Sequence, residues 1–279
     1  MNDTLPSGLY IVATPIGNLQ DVSQRAETTL RASDIIAAED SRVTAKLLNH
    51  LGIKKQIVAY HDHVSAKVRS ALVDQLGDKV IALVSDAGTP LISDPGFKLV
   101  REARAAGHLI TTIPGPCAAV AALTLAGLPT DRFLFAGFLP SKAKARTDTI
   151  EELGAVRATL IFYESGPRLG KSLHALAENL GEREAAVARE ISKKFEETVT
   201  GTLAELAERY TDAPPKGEIV IIIAPPGEAA PASEADIDAA LAEALNRLPP
   251  GKAAREVGKA LGLPSDGLYQ RAMALKATS

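Results

Sequence analysis

The segment from Val84 to Gly96 constrains the fold most, because residues that force the backbone to turn follow a buried strand there. The apolar run 80–84 predicts that strand, since it is β-branched and too short for a helix. Two glycines, two prolines and two aspartates come next, so peptide N–H groups face outward. Loops at the carboxyl ends of parallel strands bind ligands in open α/β sheets. The segment is either a small-molecule cradle with Asp86 and Thr89 as polar groups, or an ordinary strand-to-helix connection.

Two other predicted strands end in loops of the same kind. Residues 9–13 lead into Pro15 and Gly17, and residues 109–113 lead into 114–116. Strands alternate with helices, which predicts a mainly parallel sheet with these three loops at one edge. Their convergence favours the small-ligand interpretation. The phosphate-binding motifs Gly-x-Gly-x-x-Gly and Gly-x-x-x-x-Gly-Lys-Ser/Thr are absent, so the ligand is not held by a standard diphosphate loop.

The composition narrows the function classes. Aromatic residues make up 4% of the 279 residues, which argues against aromatic platforms for stacking bases. The single cysteine, Cys117, excludes an internal disulfide and a cysteine-cluster metal site, and we predict no metal site. The longest mainly apolar run, 118–128, is shorter than the roughly 20 residues that span a bilayer. With no evident signal peptide, we expect a cytoplasmic protein without a membrane partner.

A second α/β unit follows the breaker-rich joint 127–131. Its predicted strands alternate with helices, and a basic loop, 141–146, follows the first of them. We therefore predict an N-terminal α/β domain over 1–128, a second α/β domain over 129–226 and a small helical domain over 235–279.

The net charge of the C-terminal tail changes from negative to positive along its length. Five acidic residues and no basic ones occupy 228–246, whereas six basic and two acidic residues occupy 247–276. Apolar residues at helical spacing, a Gly/Pro turn and a second helix from about Leu268 are typical of a helix-turn-helix unit. Nucleic-acid contact and a packing or dimer-stabilising hairpin both remain open.

An ordered set of motifs carries a family resemblance. The set covers about residues 8–224, and the chain resembles the tetrapyrrole-methylase-fold (class III) S-adenosylmethionine (SAM) methyltransferases, in particular the 16S rRNA cytidine 2′-O-methyltransferase branch. One departure is that Gly166-Pro167-Arg168 stands where the branch usually has Pro-His-Arg, so no role of that histidine carries over. The matching motifs are Ala13–Leu19, Ala38–Arg42, Tyr60–His63, Ser85–Gly96, Ile113–Pro116, Gly137–Pro140, Phe162–Ser165 and Ala188–Glu190.

The resemblance implies a two-domain fold with SAM as cofactor in the cleft between the domains. Thr89 stands where pyrrole methylases of this family commonly carry aspartate, which favours the RNA branch. Small residues let the backbone approach a ligand closely, and outward N–H groups suit a carboxylate. The predicted cofactor-binding residues are Pro15, Gly17, Asp86, Ala87, Gly88, Thr89, Ile92, Cys117, Ala118 and Tyr163.

The implied reaction is transfer of a methyl group from sulfonium to a ribose 2′-oxygen, which needs no metal. A nearby base would accept the hydroxyl proton. Asp40 and His61 are the catalytic candidates, because each follows a predicted strand near the same edge. The alternatives are a structural histidine for His61 and a helix N-cap or a partner of Arg42 for Asp40. Glu164 and Glu190 are weaker candidates, since each is close in sequence to an arginine that would pair with it.

The resemblance also implies 16S rRNA in the small ribosomal subunit as partner, and a homodimer. Four cations are proposed phosphate contacts, with a solvated charged loop as the alternative: Arg42, Lys142, Lys144 and Arg146. Two other functions remain open. One is methylation of a small acceptor such as a tetrapyrrole. The other is a non-catalytic RNA-binding ribosome-assembly factor with SAM as a structural ligand.

Overall fold

A computed structural model describes residues 5–61, 64–227, 234–261 and 263–278. The chain divides into two compact units, residues 1–226 and 227–279. No helix in the described ranges combines the length and the apolar content needed to cross a membrane. The strands are β1 (Gly8–Val12), β2 (Ile35–Ala38), β3 (Gln56–Ala59), β4 (Val80–Val84), β5 (Ile110–Ile113), β6 (Phe133–Phe138), β7 (Thr159–Ser165), β8 (Glu184–Arg189), β9 (Glu197–Thr202) and β10 (Glu218–Ile223). The helices are α1 (Gln24–Ala32), α2 (Ser41–His50), α3 (Ala66–Gln75), α4 (Phe97–Ala105), α5 (Ala118–Leu125), α6 (Ala143–Gly154), α7 (Gly166–Leu180), α8 (Leu203–Thr211), α9 (Glu234–Leu245), α10 (Pro250–Leu261) and α11 (Ser265–Thr278).

The first sheet has the order β3-β2-β4-β1-β5, and its pairings are parallel, as predicted. Gly8 pairs with Val80 and Leu9 pairs with Ile110, so β1 lies between β4 and β5. All five residues of β4 are buried, since helices cover both faces of this sheet. The parallel arrangement brings the carboxyl ends of the strands to one edge, where the Gly/Pro loops begin.

Apolar side chains leave alternate faces of each strand, and this alternation gives the first sheet two cores. On one face, Leu48 of α2 shares an apolar cluster with Ala82. On the other face, Leu72 of α3 and Leu99 of α4 share a cluster with Ile81. The sheet is therefore the middle layer of an α/β/α arrangement, and its packing fixes the positions of the loops at its edge.

The second sheet is mixed and has the order β6-β7-β10-β8-β9. The β6–β7 pairing is parallel, whereas β10 is antiparallel to both β7 and β8, and β8 is antiparallel to β9. Helices α6, α7 and α8 pack on one face, where Phe162 and Ile221 join Leu173 and Leu206 in the core. The alternation of strands and helices predicts an α/β unit here, but it does not predict this strand order.

Helix α5 covers the opposite face of the second sheet. Ala122 and Leu123 of α5 share an apolar cluster with Ile161 of β7 and Val220 of β10. The predicted boundary at residue 128 therefore leaves α5 in the N-terminal domain, although its apolar face packs on the second sheet. The domain limits stay predictions.

The C-terminal unit contains α9, α10 and α11 around its own apolar cluster, which includes Leu241, Val257 and Leu268. The sequence predicts only the last two of these helices, and it places the start of α11 at about Leu268 rather than at Ser265. Helix α9 carries the acidic residues that neutralise part of the basic tail. Its Asp238 accepts a 2.5 Å hydrogen bond from Arg271.

Candidate functional site

A cavity of about 300 Å³ opens at the carboxyl edge of the first sheet and against the second sheet. This volume lies at the lower end of the range for small-molecule sites. The first sheet contributes the loops that follow β1, β2, β4 and β5. The second sheet contributes the ends of β6 and β7, the residue Ile191 after β8 and the start of β10. The wall consists of Ile16, Glu39, Asp86, Ala87, Gly88, Thr89, Ile92, Ser93, Asp94, Cys117, Ala118, Phe138, Tyr163, Glu164, Ile191, Glu218, Ile219 and Val220.

Hydrogen bonds tie the three Gly/Pro loops together. Thr14 and Gly88 exchange two backbone hydrogen bonds, at 2.9 and 3.0 Å, in an isolated antiparallel bridge. Thr89 Oγ1 donates to the Pro116 carbonyl oxygen at 2.9 Å. Gly88 has a φ of +79°, and a Cβ there would lie 3.3 Å from Ile16 Cγ2. The predicted convergence of these loops is confirmed, and glycine at position 88 permits their close approach.

The loop between β4 and α4 holds two side-chain-bearing residues in the left-handed region. Leu91 has a φ of 73° and Ser93 a φ of 62°. Such conformations cost of order 1–3 kcal/mol each and cluster at functional sites. Pro95 and Gly96 after them are buried, which holds the loop against the sheet. The conformation places Ile92, Ser93 and Asp94 in the cavity wall.

Tyr163 connects the second sheet to the start of α5. Its hydroxyl oxygen accepts a 3.2 Å hydrogen bond from the Ala119 N–H. Its ring packs edge-on against Phe135 and Phe138, with centroid distances of 4.7 and 5.7 Å. Burial, followed by the charge interaction with Cys117, raises the pKa of Tyr163 to about 12. The phenol is therefore neutral at physiological pH and adds no charge to the cavity wall.

Glu164 is a buried carboxyl group in the same wall, with a side-chain exposure of 0%. Its oxygens accept hydrogen bonds from the Ser165 N–H at 2.8 Å and from Ser172 Oγ at 2.5 Å. Arg168 Nε lies 3.3 Å away. The alternative given for Glu164, a structural pair with an arginine, is the arrangement observed. Glu190 pairs with Lys193 at 2.8 Å instead of with the adjacent arginine.

Most of the predicted cofactor-binding residues lie in the cavity wall, whereas Pro15 and Gly17 do not. Ile16, between those two, does line the cavity. A methyl group on Gly17 would overlap Lys193 Cγ and lie 3.0 Å from the Ile191 carbonyl oxygen. Glycine at position 17 thus permits close packing between loops of the two sheets. The predicted residues in the wall are Asp86, Ala87, Gly88, Thr89, Ile92, Cys117, Ala118 and Tyr163.

The two catalytic candidates lie outside the cavity wall. Asp40 caps α2 by accepting the Arg42 N–H at 2.8 Å, and its carboxylate pairs with the Arg42 guanidinium at 2.6 Å. Hydrogen bonds from Arg42 lower the pKa of Asp40 to about 2, so this carboxylate is a weak proton acceptor. The Asp40 N–H donates to Asp86 Oδ1 at 2.9 Å, so Asp40 helps to position the cavity loop. His61 is exposed, and its carbonyl oxygen accepts the Val64 N–H. Both catalytic roles stay predictions.

The four proposed phosphate contacts differ in solvent exposure and in the ion pairs that they form. Lys142 is exposed at the N-cap of α6, and Lys144 pairs with Asp148 on the surface of the same helix. The Arg42 side chain is 87% exposed but is paired with Asp40. Arg146 is partly buried, and its Nε atom finds no hydrogen-bond partner among the described residues. Lys142, Lys144 and Arg42 are therefore exposed to solvent, whereas Arg146 is less accessible.

Several wall residues escape a sequence-based prediction. Ile191, Glu218, Ile219 and Val220 enter the cavity only because β8 and β10 are neighbours in the second sheet. Asp94 does have a sequence signal, because it belongs to the same Gly/Pro segment as Asp86. Within the described ranges, no group of three or more His, Cys, Asp or Glu side chains is placed to hold a metal ion.

Comparisons with known proteins agree along the whole chain. The model of the tetrapyrrole (corrin/porphyrin) methylases matches residues 8–207, and a model described as the RsmI C-terminal HTH domain matches residues 231–276. A protein of Erythrobacter litoralis named ribosomal RNA small subunit methyltransferase I is 57% identical over 274 residues, which are 98% of this chain and 97% of that protein. A protein of the same name from Mesorhizobium japonicum is 51% identical over 278 residues, covering 99% and 94%.

A solved structure also resembles a large part of the chain. Uroporphyrin-III C-methyltransferase from Thermus thermophilus, complexed with S-adenyl homocysteine, has a TM-score of 0.53 and 20% sequence identity. The match covers 77% of this chain and 96% of that one. At this identity the likeness shows the fold alone.

Proposed function

Because the chain belongs to the tetrapyrrole (corrin/porphyrin) methylase family, we propose that it is a SAM-dependent methyltransferase that acts on the 16S rRNA of the small ribosomal subunit. The proposed acceptor is the ribose 2′-oxygen of a cytidine, as the motif resemblance implies. The observation that carries the proposal is the near full-length similarity to rRNA small subunit methyltransferases, which includes the C-terminal helical unit.

The cavity has the chemistry that SAM requires. Small residues at 87–88 and 117–118 let the backbone approach the ligand, and apolar side chains such as Ile92 and Val220 suit the adenine ring. Five of the side chains in the wall are carboxyl groups, which favour a ligand with positive charge on sulfur and nitrogen. When bound, SAM supplies a methyl group activated by a positively charged sulfur.

The chain's contribution to the rate is mainly alignment. The loops of the first sheet and Tyr163 of the second sheet fix the walls between which the two reactants meet. Holding two reactants in line can supply roughly 7–11 kcal/mol of a reaction barrier. The hydrogen bonds between the loops at Thr14, Gly88 and Thr89 keep these walls in place before binding, so little reorganisation accompanies the reaction.

We propose Lys142 and Lys144 as contacts to rRNA phosphates. Charge reversal at both positions is expected to weaken rRNA binding and to flatten its salt dependence, by a slope of about 0.7–0.9 per lost phosphate contact. Lys54→Glu is the matched control, because Lys54 is exposed next to the amino end of β3, away from the cavity edge. Equal salt slopes for all variants would remove these lysines from the interface.

Incubation with labelled SAM and small subunits that lack the modification tests the proposed function. Label in 16S rRNA, mapped to a ribose 2′-oxygen, is the expected result. Label in a small molecule alone would support the tetrapyrrole-type alternative. Binding of SAM and RNA without transfer would support an assembly factor instead.

We also propose that the protein is a cytoplasmic homodimer, as the resemblance implies. Large apolar side chains on the surface, such as Phe97 and Phe195 at 64% exposure each, are candidates for the contact. Light scattering on the purified protein tests the dimer, and a monomeric mass at assay concentration would refute it. Fractionation of the cells that express it tests the location.

A further inference from the structure

Asp94 is a carboxyl group that the loop between β4 and α4 holds in the cavity wall. It follows Ser93, whose left-handed backbone is described above, and it precedes the buried Pro95. The conformation is unfavourable for residues with side chains. In this conformation the loop lines the cavity with Asp94.

The surroundings of Asp94 differ from those of Glu164 and Glu218, two other carboxyl groups in the wall. Glu164 pairs with Arg168, and Glu218 pairs with Lys193. In the part of the chain that the structure describes, no cation forms an ion pair with Asp94. Burial is the main cause of the raised pKa of Asp94. The hydrogen bond from Ser85 lowers this pKa, and the charge of Asp86 raises it further. The ionisable groups that share the wall with Asp94 are Glu39, Asp86, Cys117, Tyr163, Glu164 and Glu218.

We propose that Asp94 is a catalytic residue that accepts the proton of the acceptor hydroxyl during methyl transfer. The proposal rests on the proposed function. As the ribose oxygen forms its bond to the methyl carbon, the carbon–sulfur bond breaks and its electron pair remains on sulfur. The hydroxyl proton moves to a carboxylate oxygen of Asp94, and solvent takes it up after the products leave. No oxidant, reductant or metal is needed.

The comparison with Asp40 supports this assignment. Arg42 holds the Asp40 carboxylate in an ion pair and lowers its pKa, which weakens it as a base. Asp94 lies in the cavity wall and has the opposite pKa shift, which strengthens it as a base. Proton acceptors perform best when their pKa lies close to the working pH.

Single-turnover methylation of small subunits at saturating SAM tests the proposal with Asp94→Asn, Asp94→Glu and the control Asp74→Asn. Asp74 is an exposed residue of α3, away from the cavity. Loss of a general base is expected to slow Asp94→Asn by about 10²–10⁴-fold. Its dissociation constant for SAM, measured by calorimetry without RNA, should stay near the wild-type value. Asp94→Glu should recover part of the rate, and Asp94→Asn should lose the acid limb of the wild-type pH–rate profile.

Two results would overturn the proposal while leaving the proposed function intact. The first is a wild-type rate for Asp94→Asn. The second is a loss of SAM affinity that accounts for the whole loss of rate, since Asp94 would then bind the cofactor. If the wild-type protein transfers no label to rRNA, the proposed function fails, and the role of Asp94 fails with it. Thermal melts of each variant establish that it is folded.

Discussion

Ser172→Ala is expected to destabilise the protein by removing a hydrogen bond to a buried charge. The Ser172 hydroxyl donates to Glu164 Oε2 at 2.5 Å, and both side chains are inaccessible to solvent. Besides Ser172, the Glu164 carboxylate contacts the Ser165 N–H at 2.8 Å, the Ser165 hydroxyl at 3.4 Å and Arg168 Nε at 3.3 Å. Without the hydroxyl, the Oε2 atom of this buried carboxylate loses its side-chain donor.

The size of the effect follows from the charge on the acceptor. Hydrogen bonds to charged groups contribute about 1.5–3 kcal/mol, against about 0.5–1.5 kcal/mol for neutral pairs. We expect Ser172→Ala to lower the free energy of unfolding by about 2 kcal/mol. For a chain of this size, 1 kcal/mol lowers the melting temperature by about 2–4 °C, so the expected loss is about 4–8 °C.

Ser33→Ala is the matched control for this measurement. Ser33 is also fully buried, but its hydroxyl donates to a neutral acceptor, the Thr29 carbonyl oxygen, at 2.7 Å. Urea unfolding followed by circular dichroism gives the free energies, and thermal melts give the temperatures. If the two substitutions cost the same, the charge of Glu164 does not contribute to the Ser172 hydrogen bond and the reasoning is refuted.

Three other substitutions test separate contacts. Gly166→Ala should abolish soluble expression, because its Cβ would overlap a backbone carbonyl oxygen, whereas Gly77→Ala, with 3.9 Å to the nearest atom, should express and melt normally. The pKa of Asp40 lies below its ordinary value of 3.8, so the stability that the Asp40 carboxylate contributes is present above that pH and is lost as the pH falls toward 2. The melting temperatures of Asp40→Asn and wild type should therefore converge between pH 3.8 and pH 2. The methylation rate of Asp40→Asn should fall by less than about 10²-fold. Tyr163→Phe should keep the wild-type pH–rate profile, because the phenol has a pKa of about 12, and should lose about 0.5–1.5 kcal/mol of stability in urea unfolding.

The parts of the site that sequence alone predicts are those built from local signals. Proline and glycine directly after β1, β4 and β5 predict that three loops begin at one sheet edge, and Thr14, Gly88 and Pro116 are indeed linked by hydrogen bonds. A parallel sheet with helices on both faces requires this convergence. The same signals do not give the direction of a side chain. Asp40 follows β2 as predicted, yet its carboxylate turns to the N-terminus of α2, where unpaired N–H groups attract it.

The other half of the cavity depends on contacts between distant segments. Ile191 and Val220 reach the wall because β10 lies between β7 and β8, and the periodicity of each strand is the same for any strand order. Gly17 and Gly166 show a related limit. The sequence shows that both positions are glycines, which have a free backbone conformation. Only the fold reveals that Gly17 packs closely against the 191–193 segment and Gly166 against residue 215.

The place of β1 in the first sheet has a consequence for synthesis of the protein. Strand β1 leaves the ribosome before both of the strands that flank it, since Gly8 pairs with Val80 and Leu9 pairs with Ile110. Because chains emerge from the N-terminus onward, the nascent chain has no partner for β1 until β4 is made, and the sheet cannot close until β5 follows. The apolar residues of β1 therefore wait unpaired during elongation, whereas β2 can pair with β3 as soon as that strand is made. Strand β1 is thus a segment that benefits from chaperone protection until β4 has been synthesised.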